Sequence, residues 1–337
     1  MKKTVALIYG GEGCEREISI ASAENLSKLI DREKFEVVSV MISESGEWFI
    51  ESGGTRESTF PIFLDGVSGL YKNGGVLKTD AAVPCLHGDF GEDGNIAGAL
   101  RTAHIPFVGK SILAGAVCAD KIVTKSVADS LGIPTAKWIF SNGREPTETV
   151  RRRAEERLGY PMFIKPASTG SSIGITRVSS REQFADAYRD ALSYTDRVLI
   201  EEALDVVSEI ECAYLELCKI SHFALGTVNT DGEFYDYKEK YAEESKIFAC
   251  PVCIADEDTK DAVISMSKKL RSALSVRDIG RFDFFLTRGG EVIFNEINTF
   301  PGMTDSSLYP SLTLNMGLTR GEFINLLLSE TIYDRRI

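Results

Sequence analysis

The stretch from 280 to 299, GRFDFFLTRGGEVIFNEINT, constrains the fold more than any other part of the chain. Two runs rich in β-branched and aromatic residues flank Gly289-Gly290. A glycine pair fits a two-residue hairpin loop, because both positions can take positive φ. Such a loop pairs Arg288 with Glu291 and sets the register beyond it. Asp283 then lies opposite Glu296 and Arg281 opposite Asn298, all four on one face, while Phe282, Phe284, Ile293 and Ile297 line the other. In the second strand Phe294, Ile297 and Phe300 surround Glu296 and Asn298, so these polar groups face the interior of a domain.

Like charges directly opposite on a ladder repel, and an unpaired buried carboxylate costs several kcal/mol or more. Something positive has to sit between Asp283 and Glu296. Asp, Glu and Asn oxygens are hard ligands suited to magnesium, which typically takes one or two carboxylates together with substrate phosphates. The same residues also allow an ion-pair network around Arg281 with no metal.

The rest of the chain sets the context. It has 337 residues, 43% of them apolar and 26% charged, as in an ordinary globular protein of two or three domains. A formal net charge of −12 argues against a large nucleic-acid or anionic-lipid surface, but leaves room for a small basic cluster around one anionic ligand. Lys2 and Lys3 precede the apolar run Val5–Tyr9, which is shorter than the roughly 7–15 residues of a signal-peptide core and reads as a first strand. No apolar stretch approaches the roughly 20 residues that span a bilayer, so a cytoplasmic protein is expected. Seven cysteines without regular spacing fit reduced thiols. The Cys250 to Cys253 pair has no second pair or nearby histidine, and with three histidines in all a zinc site is not indicated.

Strands over 4–9, 35–42 and 81–86 alternate with helices over 15–30 and 92–103, the pattern of a parallel sheet with covering helices. Residues 51–79 read as loops with short edge strands. A second unit runs over 112–201, with helices near 113–130 and 147–158. A third runs over 202–337 and ends in a charged helix at 319–332. Residues 231–250, polar and aromatic without a period, read as a flap that orders on ligand binding.

Three motifs resemble known sites and fail on inspection. IYGGEGCER has Arg16 where a dinucleotide fingerprint needs its third glycine, and HIPFVGKS has His104 where a P-loop needs its first. Gly170-Ser171-Ser172-Ile173-Gly174 matches a nucleophile elbow, but β-like GITRV follows where a helix is required, and the sole downstream histidine, His222, lies in a β-like run. A flexible Gly/Ser loop presenting N–H and hydroxyl donors to phosphate fits better than a serine hydrolase. Lys165 ends the apolar strand before this loop and Lys121 stands in CADK on a helix. With the acidic hairpin, these parts form a nucleotide clamp unlike a P-loop. A non-catalytic nucleotide-binding module would lack one of Asp283, Glu296, Lys165 or Arg281, and all four are present.

The signatures GGEGCEREIS, LHGDFGEDGNIAG, ADK, IKPASTGSSIG, FYDYKEKY, GRFDFF and NEINTFPGMTDSSLYP, dispersed and colinear over essentially the whole chain, resemble the D-alanine–D-alanine ligases of the ATP-grasp superfamily. The resemblance implies an α/β, three-part architecture: an N-terminal parallel α/β domain (1–111), then two α+β subdomains (112–201 and 202–337) that clamp ATP, with the flap at 231–250. Asp283, Glu296 and Asn298 would bind two magnesium ions, for which manganese substitutes. Lys121, Lys165 and the loop Gly170, Ser171 and Ser172 would hold the phosphates, with Glu201, Leu204 and Glu209 near adenine and ribose. Glu15 and His87 would take the first D-alanine, Ser307 and Leu308 the carboxylate of the second. Ser171 and Tyr241 would join Glu15 in a hydrogen-bonded triad, Arg281 and Gly302 would stabilise an oxyanion, and Lys240 would neutralise the phosphoryl group in flight. A homodimer is also implied, with no nucleic-acid or membrane partner.

The chain departs from the family pattern in two places. EEALDVVSEIE carries an extra residue, lacks a glycine and has Ala203 where a bulky aromatic is common, which bears on Glu209. TDSS replaces TSHS, putting Asp305 and Ser306 near the acceptor site. Lys240 with Tyr241, and Leu308 where relatives that prefer D-serine have arginine, favour D-alanine over D-lactate and D-serine as acceptor.

Overall fold

A computed structural model describes residues 1–88, 91–109, 111–228 and 256–333. The chain opens with β1 (Lys3–Gly10), α1 (Arg16–Leu29), β2 (Phe35–Ile42), β3 (Trp48–Ser52), β4 (Thr55–Ser58), β5 (Pro61–Leu64), β6 (Val67–Lys72), β7 (Gly75–Lys78) and β8 (Ala81–Pro84), then α2 (Asn95–Thr102). The first sheet has the order β4-β3-β2-β1-β8, with β1 parallel to both β2 and β8. The span 51–79 is more regular than its composition suggests, for β5, β6 and β7 form an antiparallel sheet of their own. Positive φ at Asp65, Gly66, Asn73 and Gly74 makes the tight turns that join them.

The middle of the chain holds α3 (Ile112–Cys118), α4 (Lys121–Ser130), β9 (Trp138–Ser141), α5 (Thr147–Arg157), β10 (Met162–Pro166), β11 (Thr176–Val178), α6 (Arg181–Tyr194) and β12 (Val198–Glu202). The single helix expected over 113–130 is two. Asp120 leaves helical geometry and its carboxylate accepts the N–H groups of Ile122 and Val123, capping a new helix at Lys121. The sheet β11-β10-β12-β9 is antiparallel throughout, with α5 and α6 packed on it around Phe184, Tyr188 and Val198.

The last part comprises β13 (Val206–Leu217), β14 (Ile220–Val228), α7 (Glu257–Leu274), β15 (Ile279–Thr287), β16 (Val292–Asn298), α8 (Leu308–Leu314) and α9 (Arg320–Tyr333). Its sheet has the order β14-β13-β15-β16, all antiparallel. One face buries Phe282, Phe284, Phe294 and Ile297 against α7 residues such as Val263 and Leu270. The core that positions the site joins distant parts of the chain: Val5, Leu7 and Leu26 pack with Leu215, Phe300, Tyr309, Phe323 and Leu327 in one cluster. Among the described residues no helix is long and apolar enough to cross a membrane.

The hairpin differs from expectation in a way that preserves its outcome. Gly290 N–H donates to Thr287 O and Thr287 N–H to Glu291 O, so the loop has three residues, Arg288, Gly289 and Gly290, and of the two glycines only Gly290 has positive φ. This places Phe284 opposite Phe294 and Phe285 opposite Ile293, one residue off the two-residue register. A β-bulge at Asn295, which has no partner on β15, takes up the difference and restores Asp283 opposite Glu296 and Arg281 opposite Asn298. Ile293 therefore shares the Asp283 face, and the core position expected for it belongs to Phe294, which meets Phe284 edge-on at 5.7 Å.

Candidate active site

Glu15 precedes the first turn of α1, where the positive end of the helix favours its carboxylate. The side chain is nearly buried and accepts a hydrogen bond from Ser171 Oγ. Two glycines make room for it: a Cβ at Gly88 or at Gly170 would lie 2.6 Å from Glu15 Oε2. Gly170 opens a tight turn in which Ile173 N–H donates to Gly170 O and both central residues, Ser171 and Ser172, have positive φ. Left-handed geometry at two serines in succession costs of order 1–3 kcal/mol each and aims the loop at the site. No helix follows, so the nucleophile-elbow geometry is absent from this stretch.

His87 ends the segment after β8, with Nε2 3.3 Å from Ser22 Oγ on α1. Burial pushes its pKa down to about 4, with a further push from Arg281 against a hydrogen bond to the Phe300 backbone, so the ring is neutral at ordinary pH. A neutral ring suits a place beside an ammonium. The sequence alone assigns no role to Glu92, which lies in LHGDFGEDGNIAG. Its carboxyl accepts the N–H groups of Gly88 (3.1 Å) and Phe300 (3.4 Å), tying two site loops together. Burial, with Glu15 nearby, pushes its pKa up to about 8.

The 299–308 segment lies across this floor. Met303 N–H donates to Ser22 Oγ and Asn25 Nδ2 to Met303 O, which anchors it on α1. Ser307 Oγ accepts Thr304 N–H, and Leu308 opens α8. A Cβ on Gly302 would meet Ser307 Oγ at 3.0 Å, so the glycine lets the two backbones approach. Ser306 faces the same cavity, whereas Asp305 turns outward to Arg320 at 3.3 Å.

Arg281 forms a two-point contact with Asp283, at 2.8 and 2.7 Å, and Nε is 3.3 Å from Glu211 Oε2. Asn298 Nδ2 donates to Asp283 Oδ2 at 3.0 Å. Lys121 Nζ donates to Thr169 O and stands 3.8 Å from Glu296 Oε2. Glu211, opposite Asp283 on β13, extends the acidic row to three strands. Its place on the period-2 face of SEIECAYLEL could have identified it. Arg281 is thus ion-paired with both Asp283 and Glu211. Among the described residues no three His, Cys, Asp or Glu side chains converge as a metal-binding group, and the third member of the expected set, Asn298, is an amide.

These elements enclose a cavity of about 350 Å³ lined by Glu15, His87, Lys121, Gly170, Ser171, Arg281, Glu296, Asn298, Gly302, Ser307 and Leu308, with Glu92, Glu209 and Glu211 among the rest. A second cavity, of about 650 Å³, is lined by Lys165, Glu201, Leu204, Glu209 and Phe285, with Ala203 beside Leu204. Glu209 lines both, so the two are neighbours. Ser172 continues the turn from Ser171, and Asp283 lies against Arg281. The expected flap residues Lys240 and Tyr241, and the Cys250 to Cys253 pair, lie outside the described residues.

Comparison with known proteins gives a consistent result. Residues 4–110 match the family model for the D-ala D-ala ligase N-terminus and residues 127–329 that for the D-ala D-ala ligase C-terminus. A D-alanine–D-alanine ligase of Streptococcus thermophilus is 36% identical over 99% of this chain and 98% of its own length. One from a Thermoanaerobacter species is 35% identical over 94% of this chain and 92% of its own. Among solved structures, the VanG D-Ala:D-Ser ligase from Enterococcus faecalis superposes with a TM-score of 0.87 at 30% identity, covering 98% of this chain and 100% of that one. The D-alanyl-alanine synthetase A from Vibrio cholerae gives 0.87 at 29% identity, covering 99% of each.

Proposed function

The chain belongs to the D-alanine–D-alanine ligase family, and from that premise we propose that it joins two D-alanines into D-alanyl-D-alanine with hydrolysis of ATP to ADP, for peptidoglycan precursor synthesis. The observation that carries this reading is the first cavity, to which three distant stretches contribute: Glu15 and His87, Lys121 and Ser171, and Arg281 with Ser307. A carboxylate, an arginine and a helix start lining one cavity offer partners for both the ammonium and the carboxylate of amino-acid substrates.

In this reading Glu15 holds the ammonium of the first D-alanine beside neutral His87, and Ser307 with Leu308 N–H takes the carboxylate of the second. Lys121, Lys165 and the 170–172 turn hold the triphosphate, with Glu201, Leu204 and Glu209 around adenine and ribose. ATP phosphorylates the first carboxylate, the amino group of the second D-alanine attacks the acyl phosphate, and phosphate leaves. Arg281 and the Gly302 N–H face the oxyanion that forms in the attack. Lys240 and Tyr241 act from the flap, the one against the phosphoryl charge, the other in the hydrogen-bond triad. Catalysis of this kind is positioning and charge neutralisation, with no covalent enzyme intermediate.

The hard oxygen donors Asp283, Glu296 and Asn298, adjacent on one face of β15 and β16, fit magnesium or manganese, and these three residues would hold two ions. When bound, the ions would neutralise charge on the ATP phosphates. The family also suggests a cytoplasmic homodimer, which size-exclusion chromatography would test.

The experiment is incubation of the purified protein with magnesium, ATP and D-alanine, D-serine or D-lactate, with phosphate release and product formation measured together. ADP and D-alanyl-D-alanine appearing in equal amounts is the expected result. Preferential mixed product with D-serine would make the chain a D-alanine–D-serine ligase. Labelling of Ser171 by a fluorophosphonate would instead support a hydrolase.

A further inference from the structure

Behind the second cavity lies a buried charge cluster that the reaction scheme above uses only in part. Glu201 on β12 meets two ammonium groups: Lys165 on β10 contacts Oε1, and Lys125 on α4 stands 3.0 Å from Oε2. Glu201 and Lys165 line the cavity, and Lys125 is not part of its lining. The Lys125 side chain is 2% exposed, the Glu201 side chain 3% and the Lys165 side chain 8%. Burial alone would raise the Glu201 pKa, and Lys125 and then Lys165 outweigh it, so the carboxyl stays ionised. Two positive charges on one carboxylate leave the group with an excess charge of +1 in a dry setting, which structure alone does not call for.

Secondary structure supplies the arrangement. Glu201 pairs with Phe163 and Lys165 with Leu199, so Glu201 and Lys165 are diagonal neighbours on one sheet face. Lys125 sits one helical turn after Lys121, so the Asp120 cap that starts α4 places one lysine at the phosphate side and the next at Glu201.

We propose that Lys125 is a positioning residue for nucleotide binding: it serves as the permanent counter-ion of Glu201, so that Lys165 can turn its ammonium to the triphosphate without stranding a buried carboxylate. The inference rests on the reading of the second cavity as the ATP site. Were Lys165 the sole partner of Glu201, every contact it made with phosphate would leave an uncompensated buried charge, a strongly unfavourable state. With Lys125 in place the carboxylate stays paired throughout, and the excess positive charge is the one that meets the phosphate. Lys125 touches no substrate in this scheme and acts through Glu201 and Lys165.

The test compares Lys125→Met, Lys125→Arg, Glu201→Gln and Lys125→Met/Glu201→Gln with wild type, using magnesium-ATP titrated calorimetrically in the absence of D-alanine, and both KM values in the coupled assay. Lys125→Met is expected to weaken ATP binding about 10- to 100-fold, the scale of a lost charge-assisted contact, with the KM for D-alanine moved less than about twofold and Lys125→Arg recovering most of the loss. Adding Lys125→Met to Glu201→Gln is expected to change ATP binding less than about threefold, because no buried carboxylate remains to be paired. Unchanged ATP affinity in Lys125→Met, parallel losses in both KM values, or the same loss with and without Glu201 would overturn the proposal. Should Lys125→Met fail to fold, the comparison of the double variant with Glu201→Gln carries the test. Absence of dipeptide synthesis by the wild type would count against the ligase reading alone, since the ATP titration does not depend on D-alanine.

Discussion

Gly170→Ala separates substrate binding from stability. Gly170 does not adopt positive φ, so alanine suits its backbone, and removing a glycine at a compatible site stabilises by roughly 0.4–1 kcal/mol through the unfolded chain. The new Cβ would stand 2.6 Å from Glu15 Oε2 and 3.1 Å from both Oε1 and Cδ, so the carboxylate has to retreat toward an ordinary contact of about 3.4 Å. Retreat breaks the bond from Ser171 and misplaces the group assigned to the substrate ammonium. A hydrogen bond to a charged partner contributes about 1.5–3 kcal/mol, or about 10- to 150-fold. In an assay coupled to ADP release, kcat/KM for D-alanine should fall by that factor, while thermal unfolding loses less than about 3 kcal/mol, because the gain from the unfolded chain offsets part of the lost Ser171 contact. Shortening the acid in Gly170→Ala/Glu15→Asp relieves the contact, so the two losses should be less than additive. If Gly170→Ala keeps kcat/KM for D-alanine within twofold, or if the whole loss falls on the KM for ATP, the assignment of Glu15 is wrong.

Other outcomes follow from the same geometry. Glu296→Gln removes one of two carboxylates from the proposed ion site and should lower kcat/KM with magnesium-ATP by at least about 100-fold; full turnover would refute the assignment. Glu92 is held protonated in the fold, with a pKa near 8 against an ordinary 4.5. The folded state then binds more protons than the unfolded one between those values, so this group makes stability fall as pH rises from about 4.5 to 8. Urea unfolding of Glu92→Gln should show a flatter profile across that window. His87 acts in the opposite sense, because a pKa near 4 against 6.5 makes stability rise with pH between them; His87→Gln should lose that rise, read by the same titration. Phe294→Ala should cost about 3–5 kcal/mol in denaturant unfolding, since the bulge places that ring in the core under the hairpin; a cost near that of a surface residue would refute the bulged register.

Periodicity and turn chemistry alone were enough to place β1, α1, β2 and the β15–β16 pair within a residue or two, because each is fixed by near neighbours in the chain. The facing of Asp283 with Glu296 was also legible, although by two deviations that cancel: a three-residue loop and a bulge at Asn295. Nothing local marks a bulge inside FNE, so the core position that Phe294 occupies is expected at Ile293. The break at Asp120, where its carboxylate caps the helix that starts at Lys121, is absent from the single helix expected over 113–130. What the linear order could not give is the meeting of Glu15, Glu92, Ser171 and Phe300, whose distances depend on a core shared by β1, α1, β13, α8 and α9. The roles of Glu92 and Lys125 are hidden for the same reason, whereas Glu211 carries a local signal in the period-2 pattern of SEIECAYLEL. A carboxylate or ammonium takes its meaning from the charges and the burial around it, and those are supplied by residues up to hundreds of positions away, brought close only when the chain packs.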